Sequence, residues 1–319
     1  MTWKYVEQPF RNKMKFNRKA IFLYTGGISA LIISIGFLGH LKNGYPSRIS
    51  PSGKSFKELD ISNKFRVNFG LNQKCEGFTT SELCRTSNNP EIIVWGDSYA
   101  MHLTQGILAS NPNAKIIQMT KSACGPVLSI APINHKHSVN WANKCIRINQ
   151  RVYKWLQGNK SIKYAVLSSP FSQYLIQNGK LKTTNGITTT GQEIAIRSFE
   201  KTLKMIEGLG IKPVVISPPP SNGKNIGNCL IRTEIFNQDY NQCNIHLSEH
   251  LLKNSETIKF LKKIEKNHKV IWLSTYMCKD NTCKTRIKNV HLYKDEGHLS
   301  FGGSKLIGKE LNLYKAITR

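Results

Sequence analysis

The chain has 319 residues, 39% hydrophobic and 20% charged, so it is long and apolar enough to bury a sizeable core and is not a disordered tract. Its formal net charge of +27 points to an anionic partner such as a membrane surface or an acidic polysaccharide, or else to a source genome biased toward Lys, Asn and Ile. No zinc-finger spacing and no aromatic ribonucleoprotein motif accompanies that charge, which excludes nucleic acid as the expected partner.

Residues 1–19 are basic and aromatic, and the charge then stops. Ala20–Gly39 reads AIFLYTGGISALIISIGFLG, twenty residues without a charge. As a helix it covers about 30 Å, the thickness of a bilayer core. A secretory signal has a shorter apolar region and an Ala-x-Ala cleavage site, which is absent after Gly39. A retained transmembrane helix is therefore expected at 20–41. Arg11, Lys13, Lys15, Arg18 and Lys19 precede it, whereas Lys42 and Arg48 follow. The positive-inside rule then keeps the N-terminus cytoplasmic, with the span in the inner membrane and the rest of the chain exported to the periplasm.

All eight cysteines follow the span, and an even count in an exported domain reads as disulfides. Pairing between neighbours is expected: Cys75 with Cys84, Cys124 with Cys145, Cys229 with Cys243, Cys278 with Cys283. Zinc is the rival reading, at Cys243, His246 and His250. Export already accounts for the cysteines, so no metal is expected, and His246 and His250 are placed on a solvated helix face.

Residues 42–89 read as a connector broken by Gly44, Pro46, Pro51 and Gly53. From residue 90 to 319 short apolar runs alternate with helical periods. Strands are expected at Glu91–Trp95, Ala114–Met119, Lys163–Leu167, Pro213–Ile216 and Val270–Leu273. Helices are expected at Ser98–Ala109, Val139–Leu156, Gln192–Leu209, His246–Ile264 and Phe301–Leu311. That alternation predicts a three-layer α/β/α sandwich around a five-stranded parallel sheet of flavodoxin-like order. Long loops fall at 120–138, 169–188 and 218–245, and Tyr276–Leu292 reads as a disulfide-closed hairpin. No internal repeat is present.

Gly96-Asp97-Ser98 follows the first strand, at the carboxyl edge where open α/β sheets bind ligands. A serine there lies at a helix N-terminus, whose free N–H groups and dipole would stabilise an oxyanion. Taken alone, a serine in this position is more often a helix cap than a nucleophile. A hydroxyl nucleophile also needs a base. The loop before the last helix carries Asp295-x-x-His298, and the fold brings it to the same edge. There His298 would take the serine proton and Asp295 would orient the ring.

With these residues in view, 91–315 resembles an SGNH (GDSL-type) hydrolase domain, Val94–Ser98 matching its first block and Asp295–His298 its last. The resemblance implies Ser98 as nucleophile, His298 as base and Asp295 as its partner, with no cofactor. The middle blocks depart from the family. The second strand leads into Thr120-Lys121-Ser122-Ala123-Cys124-Gly125-Pro126, and the third into Leu167-Ser168-Ser169-Pro170-Phe171-Ser172, which lacks the usual asparagine. Ser98 N–H and a backbone donor near Ser122 are the oxyanion candidates.

The departure is similar to SGNH domains fused to type 3 membrane acyltransferases. Thr2-Trp3-Lys4-Tyr5-Val6-Glu7-Gln8-Pro9-Phe10-Arg11 resembles the segment near the end of that membrane domain, which precedes one more span and then the exported domain. The resemblance implies the C-terminal part of such a fusion, truncated or separately encoded, acting beside a membrane acyltransferase partner. It implies O-acetyl transfer to a surface glycan such as lipopolysaccharide. An O-acetyl esterase with the same triad and a catalytically silent glycan-binding domain are the alternatives.

Overall fold

The computed structural model describes residues 3–8, 17–42, 44–45, 59–189 and 191–319. It divides into one unit of Met1–Leu59 with Ile235–Asn237 and a second of Asp60–Glu234 with Gln238–Arg319. In the first unit a short turn of helix covers Trp3–Glu7, and helix α1 covers Arg18–Leu41. Asn17 caps α1 through its side chain, which accepts Ala20 N–H at 2.8 Å. The helix has 24 residues, a mean hydropathy of 2.0 over its most apolar window and no residue buried against protein. It is long and apolar enough to cross a bilayer. Thr2, Pro9 and Phe10 of the Thr2–Arg11 match and the basic flank residues Arg11, Lys13, Lys15 and Arg48 lie outside the described residues.

The second unit is built on five strands: β1 (Ile92–Gly96), β2 (Ile116–Thr120), β3 (Tyr164–Ser168), β4 (Lys212–Ile216) and β5 (Lys269–Ile271). Their order is β2-β1-β3-β4-β5, and every neighbour pair is parallel. This is the flavodoxin-like arrangement. Besides single helical turns at Ile61–Lys64 and Ser274–Met277, the helices in chain order are α2 (Ser98–Met101), α3 (Thr104–Ser110), α4 (Val139–Gly158), α5 (Gln192–Glu207), α6 (Ile226–Phe236), α7 (Leu247–Lys253), α8 (Ser255–Glu265), α9 (Phe301–Leu311) and α10 (Leu313–Thr318).

Side-chain alternation along β1 explains the layering. Ile92 and Val94 join a core with Ile107 of α3, Leu230 of α6 and Ile307 of α9. Ile93 and Trp95 join the opposite core with Val152 of α4, Phe199 of α5 and Phe260 of α8. A strand apolar on both faces needs helices on both faces.

Residues from Asp60 onward contribute to this unit, so the second half of the connector packs with the domain. Glu76 bridges to Thr120, and Arg85 bridges to Ile117 beside β2. Two expected helices are broken. The expected Ser98–Ala109 helix parts at His102–Leu103, where the His102 carbonyl accepts Asn68 Nδ2–H at 2.9 Å and the Ser304 hydroxyl. The expected His246–Ile264 helix parts at Asn254, whose amide donates to Ser221 O at 2.8 Å and to His250. Two expected loops carry strands Ile130–Ile133, Lys180–Thr183 and Gly186–Thr189, which form a small antiparallel sheet. The third holds α6, whose apolar residues Ile226 and Leu230 are buried. The Tyr276–Leu292 segment forms two short ladders, Cys278–Lys279 against Thr282–Cys283 and Arg286–Ile287 against Val290–His291.

Candidate active site

The turn after β1 relies on a glycine. Gly96 sits at φ +152, a backbone region closed to residues with a Cβ, and a Cβ there would strike the Ser168 carbonyl and Ala100. The chain thus leaves the sheet tightly and presents Asp97 and Ser98 at the carboxyl edge. Asp97 is the cap: its Oδ1 accepts Tyr99 N–H at 2.9 Å. Its Oδ2 accepts the Ser169 hydroxyl at 2.6 Å. Burial pushes the Asp97 carboxyl up to about 6, against those two hydrogen bonds. With Asp97 serving as the cap, Ser98 is released from that role.

Ser98 Oγ lies 2.7 Å from His298 Nε2. His298 Nδ1 lies 2.9 and 3.0 Å from the two Asp295 oxygens. A carboxylate only accepts, so Nδ1 carries the proton and Nε2 faces the serine as an acceptor. The Asp295 side chain also accepts the N–H groups of Gly297 at 3.1 Å and His298 at 2.9 Å. Burial works to raise the Asp295 carboxyl. The hydrogen bonds and charge of His298, with the Gly297 N–H, overcome it and hold the group well below the usual carboxylate range. The arrangement can draw a proton from Ser98 and stabilise the imidazolium that results.

Local backbone hydrogen bonds and one element remote in sequence fix this loop. Lys294 N–H donates to His298 O at 2.9 Å, and Ser300 N–H donates to Leu292 O at 2.8 Å. Helix α6 abuts it: Gly227 N–H donates to Asp295 O at 3.2 Å, and a Cβ on Gly227 would strike the Lys294 carbonyl. Sequence reasoning missed α6 and Gly227. Ile226 and Leu230, one helical turn apart, were its only signal.

Ser122 does not serve as expected. It is exposed, and its N–H donates to Glu76 Oε1 at 3.0 Å, so that amide is already engaged. Ser98 N–H has no hydrogen-bond partner among the described residues. Because α2 is only four residues long, the N–H rather than a long helix dipole is what that terminus offers. Ser169, in the block after β3 that lacks the usual asparagine, directs its hydroxyl at Asp97.

The structure pairs Cys75 with Cys84, Cys124 with Cys145, Cys229 with Cys243, and Cys278 with Cys283. Cys243 is therefore unavailable to zinc. His246 is exposed, but His250 is buried rather than on a solvated face. Its Nδ1 accepts Ser221 N–H at 3.3 Å and faces the Asn254 amide at 2.9 Å, so it anchors the loop after β4.

The family model described as "SGNH domain (fused to AT3 domains)" matches residues 72–312, which includes both Ser98 and His298. The chain belongs to this family. The periplasmic domain of a lipopolysaccharide acetyltransferase from Salmonella ser. Paratyphi A is 18% identical over 81% of this chain and 95% of its own, with a TM-score of 0.55. That likeness shows the SGNH fold. A GDSL-like lipase from Bacteroides thetaiotaomicron is 10% identical over 72% of this chain and 88% of its own, with a TM-score of 0.39. The C-terminal catalytic domain of a Streptococcus pneumoniae peptidoglycan O-acetyltransferase is 9% identical over 71% and 92%, with a TM-score of 0.33. No curated protein matches the chain. An SGNH domain of the AT3-fused kind points to a membrane acyltransferase domain as its partner.

Proposed function

We propose that this SGNH domain is an extracytoplasmic O-acyltransferase, tethered by α1 in the inner membrane, that passes an acetyl group through Ser98 to a hydroxyl of a cell-surface glycan. The observation that carries the proposal is the continuous Ser98–His298–Asp295 hydrogen-bonded chain at the carboxyl edge of the sheet. Its close spacing weighs against a catalytically silent binding domain. Family membership supports an acyl donor delivered by a membrane acyltransferase. The acetyl and glycan parts of the reading follow the name of the Salmonella protein that shares the fold. The N-terminal apolar helix and the disulfides support a single-pass anchor with the domain outside the cytoplasm, the N-terminus inside.

In the first half-reaction Ser98 Oγ attacks the acyl carbonyl as its proton passes to His298 Nε2. The oxyanion is met by Ser98 N–H. The bond to the donor breaks, and the leaving group takes the proton from His298. A glycan hydroxyl then gives its proton to His298 and attacks the acyl-serine. Ser98 leaves with that proton, and the glycan ester is formed. Asp295 keeps Nδ1 protonated throughout.

The His298 side chain is 34% exposed, so water also reaches the base and the same triad would hydrolyse acetyl esters. That observation keeps the esterase as the second reading. Cells carrying the full chain and its membrane acyltransferase separate the two. Ser98→Ala should abolish glycan O-acetyl groups, read by NMR of the isolated glycan, while export is unchanged. Unchanged acetylation in that strain would reject both the triad and the transferase reading; increased acetylation would identify an esterase.

A further inference from the structure

His102 lies four residues beyond Ser98, at the end of α2, and its side chain is not part of the triad. It is 2% exposed. Its ring Nδ1 accepts the N–H of Leu299 at 3.3 Å. Leu299 is 1% exposed and directly follows His298. The buried amide next to the base thus takes its acceptor from the helix that carries the nucleophile.

A ring nitrogen that accepts holds no proton, so the His102 proton sits on Nε2. Nε2 is buried and has no hydrogen-bond partner among the described residues. Burial first, and the neighbouring His298 charge second, hold His102 well below the ordinary histidine range and keep it neutral. A position chosen for packing alone would be apolar. This one brings an orphan donor into the core, and what it supplies in return is the Nδ1 acceptor. Tyr99 completes the wall: its ring lies 5.3 Å from that of His102 and 4.7 Å from that of His298. The two imidazoles meet edge to face at 6.1 Å. The His102 backbone is tied as well, since its carbonyl accepts from Asn68 and Ser304.

We propose that His102 is a positioning residue whose Nδ1 fixes the His298–Leu299 backbone and so sets the contact between Ser98 Oγ and His298 Nε2. The proposal rests on the reading of Ser98 and His298 as nucleophile and base.

The test uses the full-length chain in detergent and methanesulfonyl fluoride as the probe. Ser98 Oγ bonds to sulfur, the S–F bond breaks, fluoride leaves and His298 takes the serine proton. Intact mass follows the adduct, so no natural substrate is needed. Ser98→Ala should take up no label. His102→Asn places an amide oxygen where Nδ1 was and should label within about threefold of the wild-type rate. His102→Gln and His102→Leu leave Leu299 N–H without that acceptor and should label at least roughly tenfold slower, in line with the cost of misplacing a catalytic group by a fraction of an ångström to 1 Å. If His102→Leu does not fold, the contrast between Asn and Gln decides. Equal rates for Asn and Gln, or a wild-type rate for Leu, would overturn the positioning role while leaving the triad intact. A folded wild-type chain that takes up no label would overturn the triad reading and this proposal with it.

Discussion

Around Ser98, each neighbour has one chemical task. Gly96 makes the turn, Asp97 caps the helix, and His298 with Asp295 holds a vacant acceptor against the hydroxyl. Asp295→Asn should keep the fold yet lower acetyl-ester turnover by about 10²- to 10⁴-fold, because an amide can donate to Nδ1 and favour the wrong tautomer. Steady-state kinetics on a chromogenic acetyl ester checks this. Asp97 makes a separate statement about stability. Its folded carboxyl titrates near 6 and its unfolded one near 3.8. Between those values the folded state holds more protons, so its contribution to stability is fully present below pH 3.8 and is lost as pH rises through 6. The difference corresponds to about 3 kcal/mol at most. Asp97→Asn should therefore raise unfolding free energy at pH 8 by about 1–3 kcal/mol, with Ser169 switching from donor to acceptor. Urea unfolding at pH 4, 6 and 8 measures it; equal stability of both proteins at pH 8 would contradict it. The Gly96-Asp97-Ser98 turn and the Asp295-x-x-His298 pair were legible because each is a local motif, while the 2.7 Å approach of Ser98 to His298, 200 residues apart, depends on the order of the strands. The engaged state of Ser122 was not legible, because its partner Glu76 lies 46 residues away in sequence.

At the scale of elements, the strands and the long amphipathic helices α4 and α5 follow from periodicity, with boundaries shifted by a few residues at most. Helix α6 did not emerge, because Pro218-Pro219-Pro220 and Gly223 read as loop and the helix begins just after them. Yet α6 braces the Asp295–His298 loop through Gly227. Gly227→Ala should destabilise the protein by roughly 1–3 kcal/mol, the usual cost of forcing extra volume into a packed contact. It should also slow Ser98 sulfonylation, because the displaced backbone is that of Lys294 and Asp295. A variant with wild-type urea midpoint and wild-type labelling rate would contradict the bracing role. The expected helices at Ser98–Ala109 and His246–Ile264 are each broken where long-range partners draw on His102 and Asn254, which no periodicity encodes. The small antiparallel sheet was hidden partly for the same reason, since Ile130–Ile133 pairs with Lys180–Thr183 about fifty residues further on. Lys180–Thr183 and Gly186–Thr189 pair locally, as a hairpin turning at Thr184-Asn185 that was read as loop.

Across the whole molecule, the order β2-β1-β3-β4-β5 was readable because short strands apolar on both faces admit few other arrangements. The four disulfides each close a local loop, from five to 21 residues of separation. Removing Cys124–Cys145, the longest, should lower stability by about 2–4 kcal/mol. Urea unfolding of the double Cys→Ala variant measures that cost, and mass spectrometry without reduction should find no free thiols in the exported wild-type chain. The account as a whole depends on Ser98 carrying an acyl group. The most direct measurement is peptide mass spectrometry of the full-length chain quenched in acid during turnover of a chromogenic acetyl ester. An acetyl group on the Ser98 peptide, absent from Ser98→Ala, is the predicted result. Turnover without an acetylated Ser98 peptide, or with the acetyl group on another residue, would contradict it.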